Sequence, residues 1–159
     1  MAGLTPRRLG PDAAEAALLV ELERAAFPDR SGRWNAPDYQ ALAEEPGAVV
    51  LSDRDLACAY LVLRVAGDEA EILDLGVIPT ARRQGWGRAL VADGIKAARE
   101  HGAARLFLEV AKDNAPALGL YQVAGFTQVG RRKGYYPRPN GVSPNGVRVD
   151  ALVLALALT

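Results

Sequence analysis

Between residues 69 and 101 the chain runs from a strand-like segment, "EAEILDLGVI", through "PTARRQGWGR", into a helical pattern ending at His101-Gly102. This junction constrains the fold more than any other stretch. Trp86, Leu90, Val91, Ile95 and Ala98 recur at helical spacing, so the helix must lay one apolar face on a sheet. Its N-terminus leaves backbone N–H groups unpaired and carries partial positive charge. Gly85 and Gly87 leave those amides open to close approach, and Arg82, Arg83 and Arg88 surround them with charge. Two readings stand at this level: a solvated basic turn, or a seat for an anionic group. The spacing fits neither G-x-x-x-x-G-K-[ST] nor G-x-G-x-x-G.

The flanking segments predict the rest of the sheet. Leu4–Leu9 reads as a short strand, 11–27 as a helix ended by Pro28, and 36–45 as a second helix stopped by Pro46-Gly47. Three strands follow, at 48–53, 56–66 and 69–78, with links short enough for an antiparallel meander. After the helix over 86–101 come a strand at 104–111, a helix at 114–123 and a strand at 125–132. A Gly, Pro and Asn-rich loop over 134–146 and a buried strand at 147–158 complete the series. The order β-α-α-β-β-β-α-β-α-β-β predicts an α/β (α+β) fold with one mixed sheet and helices on both faces. With 159 residues and no linker or repeat, residues 1–159 are expected to form a single domain.

Nineteen basic and nineteen acidic residues cancel, which argues against a dedicated nucleic-acid binder. One cysteine, Cys58, precludes an internal disulfide, and with one histidine, His101, no metal site is expected. The N-terminus lacks the apolar core of a signal peptide, and the run "ALVLALAL" is far below the roughly 20 residues needed to cross a bilayer. A cytoplasmic location without membrane contact is the expectation.

Three polar residues stand out downstream. Alternation in "LFLEVA" puts Leu106 and Leu108 on one face and Phe107 and Glu109 on the other. A carboxylate beside Phe107 is either paired with an arginine or poised to take a proton. Asn114 fits a helix cap, and Tyr121 fits the buried face of the short helix.

Taken together, these features resemble the GNAT acetyltransferase superfamily. Its acetyl-coenzyme A signature, Arg/Gln-x-x-Gly-x-Gly/Ala, is matched by Arg82, Gly85 and Gly87. Leu108-Glu109-Val110, Asn114, Leu120-Tyr121, Gly125-Phe126 and Tyr135-Tyr136 resemble its RimI-type branch, which acetylates the N-terminal alanine of a small-subunit ribosomal protein. The resemblance covers nearly the whole chain and implies a GNAT fold with a mostly antiparallel sheet of six to seven strands.

It further implies acetyl-coenzyme A as cosubstrate, its pyrophosphate held by amides across Arg82, Arg83, Gln84, Gly85, Trp86, Gly87 and Arg88. The pantetheine arm would lie along Leu75-Gly76-Val77, where the sheet opens, with the Val77 N–H as oxyanion donor and Asn114 as a further contact. Glu109 becomes the general base and Tyr121 the acid for the leaving thiolate. Trp34, Tyr135 and Tyr136 are placed against the acceptor, expected to be a protein N-terminus. The stretch "RPNGVSPNGVRV" is longer than the family's turn, and extra residues flank Trp34. Both departures adjoin the acceptor, so a small-molecule amine acceptor and a non-catalytic acetyl-coenzyme A binding module stay open as alternatives.

Overall fold

The computed structural model describes residues 4–30, 34–137 and 148–158. Seven strands form one sheet: β1 (Arg7–Leu9), β2 (Ala48–Ser52), β3 (Ala59–Ala66), β4 (Glu69–Val77), β5 (Arg105–Ala111), β6 (Thr127–Pro137) and β7 (Arg148–Ala157). Their order is β1-β2-β3-β4-β5-β7-β6. Every neighbouring pair is antiparallel except β4 and β5, which are parallel at the centre. The expected mixed, mostly antiparallel sheet is present. Among the described residues four helices flank it: α1 (Ala13–Ala26), α2 (Ala36–Glu44), α3 (Trp86–Glu100) and α4 (Ala115–Val123).

The alternation of side chains along the strands divides the interior into two cores. Val49, Leu61, Leu63, Leu106 and Leu108 meet Leu90, Val91 and Ala98 of α3 and Tyr121 of α4. Val50, Tyr60 and Val62 turn the other way, onto Leu19 and Leu22 of α1 and Tyr39 and Leu42 of α2. Helices therefore cover both faces, as the pattern of apolar residues requires.

One irregularity matters for everything that follows. Val62 pairs with Asp74 and Leu63 with Ile72, so Leu73 is an extra residue, a β-bulge in β4. A bulge shifts the alternation by one. Before it, even-numbered Ala70 and Ile72 face the α3 core; after it, odd-numbered Leu75 and Val77 do. Asp74 consequently lands on the α1 face, beside Tyr60.

Some boundaries differ from those read in the sequence. The strand expected at 56–66 begins at Ala59, because 53–58 form a turn organised by Asp53. Its carboxylate accepts from the N–H groups of Ala57, Cys58 and Ala59 at 2.9–3.1 Å, and Leu56 takes a left-handed conformation with φ 52°. Pro79–Ala81 form a 3-10 turn. The loop expected from 134 starts later: β6 continues through Gly134, Tyr135 and Tyr136 to Pro137. The cause is a distant residue. Asp150 of β7 accepts from Arg131 Nε at 2.6 Å and from the Gly134 N–H at 2.9 Å, and Gly134 (φ 58°) absorbs the resulting irregularity. The remainder of that loop, from 138 to 147, lies outside the described residues.

Burial opposes ionisation of Asp53, but the three amides outweigh it and hold its pKa below the ordinary carboxylate range. A carboxylate depressed in the folded state adds stability above its unfolded pKa, near 3.9, and loses it as pH falls through the native value. Asp53→Asn is therefore expected to cost about 1–3 kcal/mol at neutral pH. Thermal unfolding of parent and variant should converge below about pH 4; a constant difference down to pH 2 contradicts this account.

Candidate active site

β4 and β5 pair over four residues only, from Glu69 with Arg105 to Ile72 with Leu108. Beyond that they part, although β3 follows β4 to Val77 and β7 follows β5 to Ala111. A gap thus opens inside the sheet, bounded by Leu73–Val77 on one side and 109–111 on the other. Interior strand edges carry N–H and C=O groups that need partners.

The register says which groups face the gap. Ile78 N–H donates to the Cys58 carbonyl at 2.9 Å. Backbone groups in a strand alternate edges, so Gly76 also points towards β3, and Leu75 and Val77 point into the gap. The Leu75 N–H donates to Asp74 Oδ1 at 3.0 Å, and the Val77 carbonyl accepts from Arg82 Nε at 3.0 Å. Of the expected Leu75-Gly76-Val77 contact, Gly76 presents no backbone group to the gap. Its role is packing: a Cβ there would lie 2.4 Å from Tyr60 Cε1 and 2.9 Å from Phe27 Cε2.

α3 starts at the open end of this gap. α1, α2 and α4 are capped by Asp12, Asn35 and Asn114, whereas α3 has no side-chain cap. Its N-cap, Gly85, sits at φ 95°, and Arg83 at φ 63° is one of two non-glycine residues in the left-handed region among the described residues. Such a turn points consecutive amides outward as an anion seat. The three arginines separate. Arg82 is tied to the Val77 and Ala26 carbonyls, at 3.0 and 3.2 Å, and braces the turn. Arg83 and Arg88 are exposed beside the amides, as is Gln84, whose Nε2 donates to the Thr80 carbonyl at 3.4 Å. Trp86 packs against the α3 core, and Gly87 approaches Leu120 of α4, where a Cβ would lie 3.1 Å from Cδ2.

Glu109 lies just past the last β4–β5 pair, on the face opposite Leu108. It is ion-paired with Arg132 of β6, Nε to Oε1 at 2.9 Å, and its side chain is 20% exposed against 59% for Arg132. The arginine partner weighed from the strand pattern is therefore present. Glu109 also borders an open depression of about 320 Å³ shared with Arg64, Glu71, Phe107 and Val153. Tyr121 is 6% exposed and meets Phe126 edge-on at 5.6 Å. Burial, then the charges of Asp74 and Tyr136, raise its pKa above the ordinary tyrosine value. Asn114 is exposed and caps α4, accepting from Ala117 N–H at 3.3 Å.

Of the three aromatic residues expected at the acceptor, Tyr135 is exposed and stacks edge-on with Tyr136 at 5.0 Å. Trp34 is half-buried on the α1 core, 5.1 Å from the Tyr39 ring. A polar cluster at the bulge escaped the sequence reading. Asp74 Oδ2 accepts from Tyr60 at 2.6 Å and from Arg30 Nη2 at 2.8 Å, and Arg30 also reaches Glu23 of α1 at 3.4 Å. The signal available was a carboxylate and a tyrosine inside otherwise apolar strands, "EILDLGV" and "ACAYLVL". Among the described residues no helix is long and apolar enough to cross a membrane, and no group of three metal-ligating side chains occurs.

This sheet, opened beside an uncapped helix, belongs with the acyltransferase folds, and comparison makes the class definite. The Acetyltransferase (GNAT) family model matches residues 16–126, and the chain is a member of that family and an N-acetyltransferase. It is 36% identical over 109 residues to the [ribosomal protein bS18]-alanine N-acetyltransferase of Escherichia coli K12, covering 69% of this chain and 70% of the relative. The crystal structure of the E. coli ribosomal-protein-S18-alanine N-acetyltransferase superposes with a TM-score of 0.79 at 28% identity, over 99% of this chain and 95% of that one. The fold is shared with Arabidopsis thaliana NAA60 in complex with acetyl-CoA (TM-score 0.77, 20% identity, 98% of both chains). The family resemblance read from the motifs thus holds.

Gly76→Ala is expected to destabilise the fold by about 1–3 kcal/mol, as overpacking does. Thermal unfolding should show that loss, and Tyr60→Phe in the same background should not relieve it, because the clash is with the ring.

Proposed function

We propose that the chain transfers the acetyl group of acetyl-CoA to the N-terminal α-amine of a protein, with the alanine of a small-subunit ribosomal protein as acceptor. The observation that carries the cosubstrate is the gap edge leading to the uncapped end of α3. An extended arm adding to the strand edge meets the Val77 N–H, and a pyrophosphate meets the amides from Arg83 to Arg88. The acceptor class rests on the likeness to the E. coli alanine acetyltransferase.

Acetyl-CoA, when bound, supplies the acetyl group as an activated thioester. An α-amine has a pKa near 7.7–8.0, so at neutral pH it gives up a proton readily. In this reading Glu109 takes that proton, directly or through a water, once Arg132 yields its place to the acceptor's ammonium. The nitrogen bonds to the acetyl carbon, and the Val77 N–H stabilises negative charge on the oxygen. As the carbon–sulfur bond breaks, Tyr121 donates its proton to the thiolate. Its raised pKa keeps it protonated throughout the range in which α-amines titrate. Asn114 steadies the arm, and Trp34, Tyr135 and Tyr136 line the acceptor side.

The test is thiol release from acetyl-CoA with short peptides bearing a free N-terminal alanine, run against polyamines, aminoglycosides and free amino acids. Peptide acetylation is expected. Turnover on small amines alone contradicts the acceptor assignment, and binding without turnover favours a non-catalytic module. Glu109→Gln should lower kcat by about 10²–10⁴-fold with little change in KM for acetyl-CoA. Tyr121→Phe should also lower kcat, and in the parent no loss of rate should set in below about pH 10 from this group. Parent-like turnover by both variants removes them from these roles.

A further inference from the structure

The cluster at the β4 bulge does more than fill space. Arg30 follows α1 by four residues and directs one nitrogen, Nη2, at three acceptors on three elements: Glu23 Oε1 of α1 at 3.4 Å, Tyr60 Oη of β3 at 3.4 Å and Asp74 Oδ2 of β4 at 2.8 Å. Its guanidinium also lies over the Phe27 ring, 3.7 Å from the centroid. Glu23 continues the chain of contacts, accepting from Tyr39 at 2.5 Å, and Tyr39 carries Trp34 against its ring. An unbroken path therefore runs from Trp34, through Tyr39, Glu23 and Arg30, to Asp74.

The far end of that path is the gap itself. Asp74 Oδ1 holds the Leu75 N–H, one of the two amides that β4 turns towards β5. After burial, the charge of Asp74 also helps to raise the pKa of Tyr121. The side chains of Glu23 and Asp74 are 10% and 12% exposed, and that of Arg30 is 25%. These groups are shielded from solvent, where charge contacts are stronger than on an open surface.

We propose that Arg30 is a positioning residue for the acceptor: its bridge between Glu23 and Asp74 fixes the end of α1 to β4 beside the gap, and through Glu23 and Tyr39 it holds the Trp34 ring in place. The inference rests on the proposed acceptor side of the site. The Arg30 side chain touches neither the anion seat of α3 nor Glu109. Its loss is therefore expected on acceptor binding and not on acetyl-CoA binding. Because its hydrogen bonds to the described residues pass through one nitrogen, a lysine ammonium can replace part of the function.

The experiment uses the full chain with Arg30→Gln, Arg30→Lys and Asp74→Asn. KM for acetyl-CoA and for an alanine-starting peptide are measured separately. Amide exchange at Phe27–Arg30 and at Trp34-Asn35 is followed without substrate. Arg30→Gln should raise the peptide KM about tenfold or more and leave the acetyl-CoA KM within about twofold, with Arg30→Lys recovering part of the loss. Asp74→Asn should raise the peptide KM in the same direction. Exchange at both segments should quicken in Arg30→Gln. A peptide KM within about twofold of the parent in both Arg30→Gln and Asp74→Asn, or both KM values rising together, overturns the proposal. If the parent acetylates only small amines, the acceptor reading fails separately, and the same split is read on the best amine. Unchanged exchange in Arg30→Gln overturns the role given to the Glu23–Arg30–Asp74 bridge whatever the acceptor is. Should Arg30→Gln fail to fold, the Arg30→Lys and Asp74→Asn kinetics decide on the same criteria.

Discussion

The single residue by which β4 outruns β3, Leu73, sets the geometry on which the rest of the structure depends. Without that bulge, side-chain alternation would carry Leu75 and Val77 onto the α1 face and Asp74 into the α3 core. A carboxylate would then be buried among leucines, away from Tyr60 and Arg30, at the desolvation cost of an unpaired charge. With it, Leu75 and Val77 join the α3 core, and Asp74 meets Tyr60 and Arg30. The bulge also falls where β4 and β5 stop pairing, after Ile72 and Leu108. A strand that bends and twists more strongly at one point leaves its neighbour there. Opening of the sheet and placement of its polar cluster share one cause.

The edges of the opening are managed individually. Asp74 satisfies one amide of β4, and Arg82 satisfies a carbonyl while reaching the end of α1. Each tie leads away from the gap into a different helix or strand. Arg82 ties the turn before α3 to the end of α1, and Arg30, just past α1, is tied to Asp74 of β4. Among the described residues no side chain caps the first amides of α3, and the Val77 N–H faces the gap beyond the last β4–β5 pair.

Periodicity carried most of the fold, because the elements are long enough for their apolar faces to be counted. Trp86, Leu90 and Val91 declare the buried side of α3, and "LFLEVA" declares both faces of β5. In the candidate site, the uncapped start of α3 was legible where backbone freedom is written as glycine, at Gly85, and the arginine-paired carboxylate where it breaks an apolar strand, at Glu109. The remainder depends on residues far apart in the chain. No local pattern reveals that Leu73 is unpaired, since that follows from the register with β3. Nor does "GYYP" look like strand until Asp150 holds Arg131 and Gly134 in place. Arg30 reads as an ordinary charged loop residue, and its partners lie 7, 30 and 44 positions away.

The placement of β7 between β5 and β6 bears on how the two walls of the opening come to exist. β2, β3 and β4 are consecutive and joined by short turns, so their pairing closes small loops at little entropic cost. β5 gains only four pairs from β4 and is held along its whole length by β7, 40 to 52 positions further on. The wall carrying Leu75 and Val77 is thus built from local contacts, and the wall carrying Glu109 from distant ones. By the usual dependence of folding speed on sequence separation, the first leaf is the quick one and the second the slow one. The wall that carries Glu109 is complete only when β7, the last described strand, has paired with β5 on one side and β6 on the other.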